Sequence, residues 1–209
     1  MKIIEQGHEI LFLEDGETVM KRLEAAGRTA YKSEDKTTPE SAAKFMHMLV
    51  HEKRHESVIE HCVMTVRFTC DRGLTHILVR HRLASFTQES TQYCNYSKDK
   101  FGNEVRFIKP AFYADTVKYG WWLKAMETAE EAYLGMIAAG ASPQEARSVL
   151  PTSVKTELVM TANMREWRHI FKLRTSKADQ LQVRQLMAPL LNEVKSRVPV
   201  LFDDIVAEA

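Results

Sequence analysis

Cysteine is scarce. Cys62, Cys70 and Cys94 are the only three in 209 residues. An odd, sparse set without a CxxC pair excludes a disulfide framework and a thiolate zinc site, and it fits a reducing cytoplasm. Long apolar runs are missing too, since none approaches the roughly 20 residues that a membrane span needs. Nor is there an excess of charge of one sign. The 29 basic and 28 acidic residues leave a net charge of +1, which offers no field for duplex nucleic acid or an anionic membrane. Local basic clusters aimed at a small anion stay compatible with that balance. Repeats, low-complexity tracts and linkers are lacking. The opening MKIIEQGHEILFLEDGE is broken by charges and does not read as a signal peptide. What the chain does have is 44% hydrophobic residues, enough to core one domain spanning 1–209.

Helix signals dominate. Thr38-Pro39 reads as N-cap and N1 of a helix that runs on through Ala42, Phe45, Met46, Leu49 and Val50. The period then switches. Cys62, Met64, Val66, Phe68 and Cys70 share one face and Thr65, Arg67 and Thr69 the other, which predicts a half-buried strand. Helical spacing returns over 73–82, and the polar Asn95–Asn103 reads as a loop. Val105–Ile108 reads as a short strand stopped by Pro110. A long helix is expected over 115–139, closed by Gly140. Ser142-Pro143-Gln144-Glu145 is a capping box with proline at N1. Residues 152–162 fit helix or strand. Asn163 is placed to cap a helix carrying Trp167, Ile170 and Phe171, and a last helix is expected over 177–197. Few strands among many helices predict an α+β fold.

Residues His51–His61 read HEKRHESVIEH and contain HExxH. On a helix His51 and His55 would share a face at i, i+4, with Glu52 as general base of a zinc metalloprotease. The extended form of that motif breaks the helix at a glycine, and the β-branched Val58 stands there instead. The competing reading is a helix whose exposed end is rich in charge. No metal is expected.

The densest polar stretch is Arg80–Tyr93, RHRLASFTQESTQY. Leu74, Leu78 and Val79 give it an apolar anchor. Arg80 and Arg82 can grip separate oxygens of a phosphate or carboxylate bidentately. Ser90 and Thr91 add hydroxyls and backbone N–H groups suited to a phosphate monoester. The residues by themselves describe either an anion-binding segment or a solvated basic helix end.

Arg-His-Arg, a gap of seven, then Ser90 and Tyr93 resembles the flavin-dependent thymidylate synthases. Further matches follow in order: His55-Glu56-Ser57 with Glu60-His61, Ala146-Arg147 before Val149-Leu150-Pro151, Asn163-x-Arg165, and Leu173-Arg174. The resemblance spans about residues 25–200. It implies that family's fold, an α/β-type sheet flanked by helices, in a homotetramer with shared active sites. It also implies FAD as cofactor, NADPH and methylenetetrahydrofolate as co-substrates, and C5 methylation of dUMP to dTMP. By resemblance Arg174 is the catalytic residue that activates the pyrimidine, where a fixed guanidinium stabilises developing negative charge. Arg80, Gln88, Glu89, Ser90, Gln92, Arg147 and Arg174 correspond to nucleotide-binding positions. Ser57, Arg80, His81, Arg82, Asn163, Arg165 and His169 correspond to flavin-contacting ones. Ser90 has no base–orienter pair nearby in sequence, so it reads as a phosphate or sugar ligand rather than a nucleophile.

The departures cluster on the nucleotide side. Thr87-Gln88 replaces the family's Asn-Glu, Gln92 replaces an arginine, and Ile77 stands where a polar residue is usual. Glu89 lies one position from the motif glutamate, and His169 stands where asparagine is frequent. Losing a charge-assisted contact at 92 costs ~1.5–3 kcal/mol. The expectation that follows is an intact flavin site with the pyrimidine open among dUMP, UMP and dCMP.

Overall fold

The computed structural model describes residues 1–208. Six strands and eight α-helices follow one another as β1 (Lys2–Ile4), β2 (Gly7–Phe12), α1 (Gly16–Tyr31), α2 (Ser41–His47), β3 (Val63–Asp71), α3 (Arg72–Leu78), β4 (Ala84–Gln88), β5 (Arg106–Ile108), α4 (Thr116–Ala138), α5 (Pro143–Ala146), β6 (Lys155–Asn163), α6 (Met164–Arg174), α7 (Leu181–Arg197) and α8 (Pro199–Phe202). The class is α+β. Strands β2-β3-β6-β4 pair in that order, and β1 pairs with β5. The chain divides into two compact units. The first takes Met1–Gly7, Phe68–Arg80 and Phe86–Val159, and the second takes His8–Arg67, His81–Ser85 and the chain from Met160 onward.

In the first unit β1 and β5 run parallel, with Lys2 opposite Arg106 and Ile4 opposite Ile108. The core gathers Tyr96, Val105, Phe107, Met126, Tyr133 and Val154. The long helix α4 starts where Asp115 accepts the Lys118 N–H at 3.1 Å. It ends before Gly140, whose φ of 93° only glycine adopts freely. Both halves of the Ser142–Glu145 capping box form, but α5 is a single turn. Arg147 lies on the 3₁₀ turn that follows it, Arg147–Val149, rather than on an α-helix.

In the second unit, α1 is capped by Asp15, which accepts from the Thr18 N–H at 3.0 Å. Gly27 on α1 lets Phe45 and Leu49 approach. A Cβ there would lie 2.8 and 2.9 Å from their side chains. Helix α2 begins at Ser41, not at Thr38-Pro39. The Ser41 hydroxyl accepts the Thr38 N–H at 2.9 Å and donates to the buried Glu24 at 2.6 Å, so residues 38–40 form a turn ahead of the helix. Past His47 the helix widens into a π-turn over Met48–Glu52. Aromatic packing runs from Trp167 to Phe171 to Phe202, with centroids 5.6 and 5.7 Å apart, and the Trp167 indole donates to the Met64 carbonyl at 3.0 Å.

The alternation expected over 62–70 holds, because Met64, Val66, Phe68 and Cys70 are all buried. The ambiguous 152–162 segment is strand β6, with Thr156, Leu158, Met160 and Ala162 buried in turn. Among the described residues, no helix is long and apolar enough to cross a membrane.

Candidate functional site

The HExxH segment lacks the geometry its spacing promises. The helix ends at the π-turn, and Arg54 adopts a left-handed φ of 57° between the two histidines. His51 Nε2 hydrogen-bonds the Val200 carbonyl at 2.6 Å, whereas His55 Nδ1 meets the Tyr31 hydroxyl at 2.9 Å. Their rings are committed to separate partners, and Glu52 pairs with His47 at 3.5 Å. The protease reading fails on this geometry.

The second unit holds most of the residues assigned to flavin. Asn163 caps α6 by accepting the Glu166 N–H at 2.9 Å, which aims the helix and its side chains. Two residues on, Arg165 reaches Glu60 at 2.6 Å, and one turn further His169 is exposed. Arg168, between them in sequence, is held differently. It is buried, is held bidentately by Asp204 at 2.7 Å on each side, and donates also to the Leu201 carbonyl. Ser57 lies on the 3₁₀ turn Glu56–His61.

Two cavities flank this helix start. One of 710 Å³ is lined by Ala26, Gly27, Ala30, Tyr31, Ser57 and Asn163, among others. The other, 630 Å³, is lined by Asn163, Arg165, His169 and Lys172 with Glu56 and Glu60. The donor set fits FAD. Small residues offer a flat wall to a ring, and Arg165 and Lys172 are cationic groups of the kind a pyrophosphate takes as charge-assisted partners. Arg82 adds a further exposed guanidinium, with no ion pair or hydrogen bond among the described residues.

Arg174 closes α6. Its Nε donates to His81 Nε2 at 3.0 Å and its Nη1 to Asp179 at 3.0 Å. It does not cap helix carbonyls, although it stands in the last turn. His81 is buried, and its Nδ1 lies 3.2 Å from Glu166 Oε1. Burial, then the Arg174 charge, lowers the His81 pKa, and Glu166 opposes them. The imidazole is therefore neutral near pH 7. His81, Glu166 and His169 bring one ligand atom each within 4.8 Å of one another. A cation there would sit beside the permanent positive charge of Arg174, which already holds the other side of the His81 ring.

The first unit holds the remaining positions. Gln88 donates to the Thr75 and Thr156 hydroxyls at 3.0 and 3.3 Å. Glu89 is fully engaged, accepting from Lys155 at 2.8 Å and from the Tyr96 hydroxyl at 2.9 Å. Burial and then the Glu89 charge push the Tyr96 phenol up, so it stays a donor. Ser90 Oγ accepts the Gln92 N–H at 3.3 Å, a local turn, and no base touches its hydroxyl among the described residues. Gln92 reaches Gln144 at 3.4 Å. Arg147 is exposed without an ion pair or hydrogen bond among the described residues. Arg80 is exposed as well and donates to the His76 carbonyl at 3.1 Å.

Sequence reasoning missed Glu166 and Asp179. Glu166 stands three residues after a capping asparagine, where it reads as a helix-start residue, and Asp179 sits in a turn with no motif around it.

The family model "Thymidylate synthase complementing protein" matches residues 13–200. The flavin-dependent thymidylate synthase of Pyrococcus furiosus is 35% identical over 144 residues, covering 68% of this chain and 59% of that protein. The flavin-dependent thymidylate synthase of Mycobacterium sp. (strain JLS) is 30% identical over 212 residues, covering 91% and 81%. The match to the Pyrococcus relative thus spans less than two thirds of its length. Among solved structures, the UMP/dUMP methylase PolB from Streptomyces cacaoi bound with 5-Br dUMP aligns over 100% of both chains with a TM-score of 0.80 and 22% identity. Thymidylate Synthase X from Helicobacter pylori with FAD and dUMP aligns over 97% of this chain and 100% of that one, with a TM-score of 0.77 and 18% identity. Those two likenesses show a common fold.

Proposed function

This chain belongs to the thymidylate synthase complementing protein family, and from that premise we propose that it methylates a pyrimidine nucleotide at C5, dUMP to dTMP first of all. Methylenetetrahydrofolate is the one-carbon donor and NADPH the reductant. FAD, when bound, supplies the hydride that completes the methyl group, and Ser57, Arg80, Arg82, Asn163, Arg165 and His169 are the residues that would hold it; His81, buried with both ring nitrogens engaged, supports them from behind. The working protein is a homotetramer in the cytoplasm.

The single observation that carries this reading is the state of Arg174. A half-buried guanidinium is fixed at Nε by a neutral imidazole and at Nη1 by Asp179. Its remaining Nη2 edge has no hydrogen bond among the described residues. A permanently charged donor aimed in advance stabilises negative charge on a ring carbonyl without reorganising. Ser90 and the exposed Arg147 and Arg80 are the groups that take the nucleotide phosphate and sugar. Gln88 and Gln92 contribute neutral polar contacts.

A second reading concerns only the pyrimidine. Gln92 and Ile77 replace polar or charged partners, and Glu89 is committed to Lys155 and Tyr96. Each change loosens discrimination on the nucleotide side, so UMP or dCMP is the alternative substrate. A fold relative described as a UMP/dUMP methylase supports UMP within that alternative.

The test is a substrate panel. FAD-loaded protein is reduced and given the folate donor with dUMP, UMP or dCMP. Turnover of dUMP alone removes the second reading. Arg174→Ala should lower kcat by about a hundred- to a thousandfold, the scale for removing one preorganised donor. Full methyl transfer by that variant would refute the assigned role.

A further inference from the structure

The Arg174 geometry implies more than a fixed guanidinium. Arginine Nε is only a donor, so the His81 Nε2 that receives it carries no proton. The ring proton of the neutral imidazole then sits on Nδ1, 3.2 Å from Glu166 Oε1. Glu166 is 8% exposed, and His81 is its one side-chain partner among the described residues. Burying a carboxylate against a neutral ring is costly without a cation in reach. Here the cation is Arg174, one imidazole away.

We infer that Glu166 is a positioning residue, which fixes the Nδ1–H tautomer of His81 and thereby aims the Arg174 guanidinium at the pyrimidine. The inference rests on the role proposed for Arg174 above. The order is carboxylate, imidazole, guanidinium, with each link able to donate in one direction only. It uses the same physics as a triad in which a buried acid selects the histidine tautomer for its neighbour. Asp179 steadies the far nitrogen, so Arg174 is held from two sides and its third side is presented. Glu166 and Arg174 lie on the same helix, eight residues apart, and His81 bridges them from the segment after α3. Helix α6, which carries two of the three groups, is capped at one end by Asn163 and anchored in its middle by Arg168.

Glu166→Gln and Glu166→Leu test this in the full chain. The first readout needs no cofactor: ¹⁵N–¹H spectra of the His81 ring in wild type and both variants. The wild-type ring is expected to carry its proton on Nδ1. In Glu166→Leu the tautomer redistributes, and in Glu166→Gln, whose amide oxygen still accepts, it is largely kept. A wild-type ring protonated on Nε2 overturns the inference, whatever the variants do, and so does a stoichiometric divalent cation found on both histidines of purified protein.

The second readout is kinetic. Glu166→Leu should lose about ten- to a hundredfold in kcat, the scale for removing a group that orients a ligand-bearing side chain, with a smaller change in KM for the nucleotide. Glu166→Gln should restore most of it. If Arg174→Ala is inactive while Glu166→Leu turns over normally, this inference fails and the reading of Arg174 stands. If Arg174→Ala is itself fully active, the reading of Arg174 fails first. Should Glu166→Leu not fold, Glu166→Gln and the wild-type spectrum decide.

Discussion

Asp204→Asn probes the anchor that holds the site helix in place. Arg168 is 1% exposed and Asp204 28% exposed at the side chain. Their two parallel hydrogen bonds join the middle of α6 to the segment after α8. Burial works to raise the Asp204 pKa, but the hydrogen bonds and charge of Arg168 outweigh it and hold the carboxyl at about 2, against an ordinary 3.8. At about 1.36 kcal/mol per pKa unit that difference is about 2.4 kcal/mol. Screening at the solvent-facing edge trims it to about 2 kcal/mol. Asparagine keeps the shape but not the charge, and Arg168 retains the Leu201 carbonyl and Glu56 at 3.3 Å. The loss therefore falls below the ~3–5 kcal/mol of an unpartnered buried ion.

For a chain of this size, about 2 kcal/mol lowers Tm by roughly 4–8 °C. A carboxylate with a depressed folded pKa contributes stability that is present above the unfolded value and lost as pH falls through the folded one. The gap between wild type and variant should thus be full at pH 7 and close between about pH 4 and pH 2. Scanning calorimetry at several pH values reads both. A shift under about 1 °C at neutral pH, or a gap that does not narrow in acid, would refute the reasoning.

Three further outcomes follow. Gln92→Arg restores a cation at the nucleotide side and should tighten dUMP binding by about ten- to a hundredfold, read by titration calorimetry; unchanged affinity places residue 92 away from the nucleotide. His81 has a folded pKa lowered below 6.5 by burial and then by Arg174, so the unfolded chain binds more protons there and stability falls as pH drops below 6.5. His81→Asn lacks that penalty, and the stability of wild type relative to it should decline on acidification; parallel curves would contradict a buried neutral ring. Gly27→Ala forces a methyl against Phe45 and Leu49, which should cost about 1–3 kcal/mol, and an unchanged denaturation midpoint would show that the helices part easily.

Several elements were legible in the residues because local chemistry decides them. The β3 alternation, the Gly140 stop of α4, the Ser142 capping box and the Asn163 cap each depend on a few neighbours. Residues 155–163 were not, because leucine, methionine and alanine suit helices and only pairing with distant strands makes them β6. Helix α1 carried no motif that raised it above the charged opening, and the turn at 38–40 depends on Glu24 reaching Ser41 across 17 positions. The site divides in the same way. Arg174, His81 and Asn163 stood out through family spacing. Their wiring did not, since His81 and Arg174 lie 93 residues apart, and Glu166 resembles any first-turn acid until the fold turns it toward the imidazole.

The central claim is C5 methylation of a pyrimidine nucleotide by a flavin protein. It is tested most directly by incubating FAD-loaded protein with NADPH, methylenetetrahydrofolate and dUMP and identifying the nucleotide by mass and chromatography. dTMP is expected, formed only when FAD and the folate are both present. Unchanged dUMP from flavin-loaded protein, with UMP and dCMP equally untouched, would contradict it.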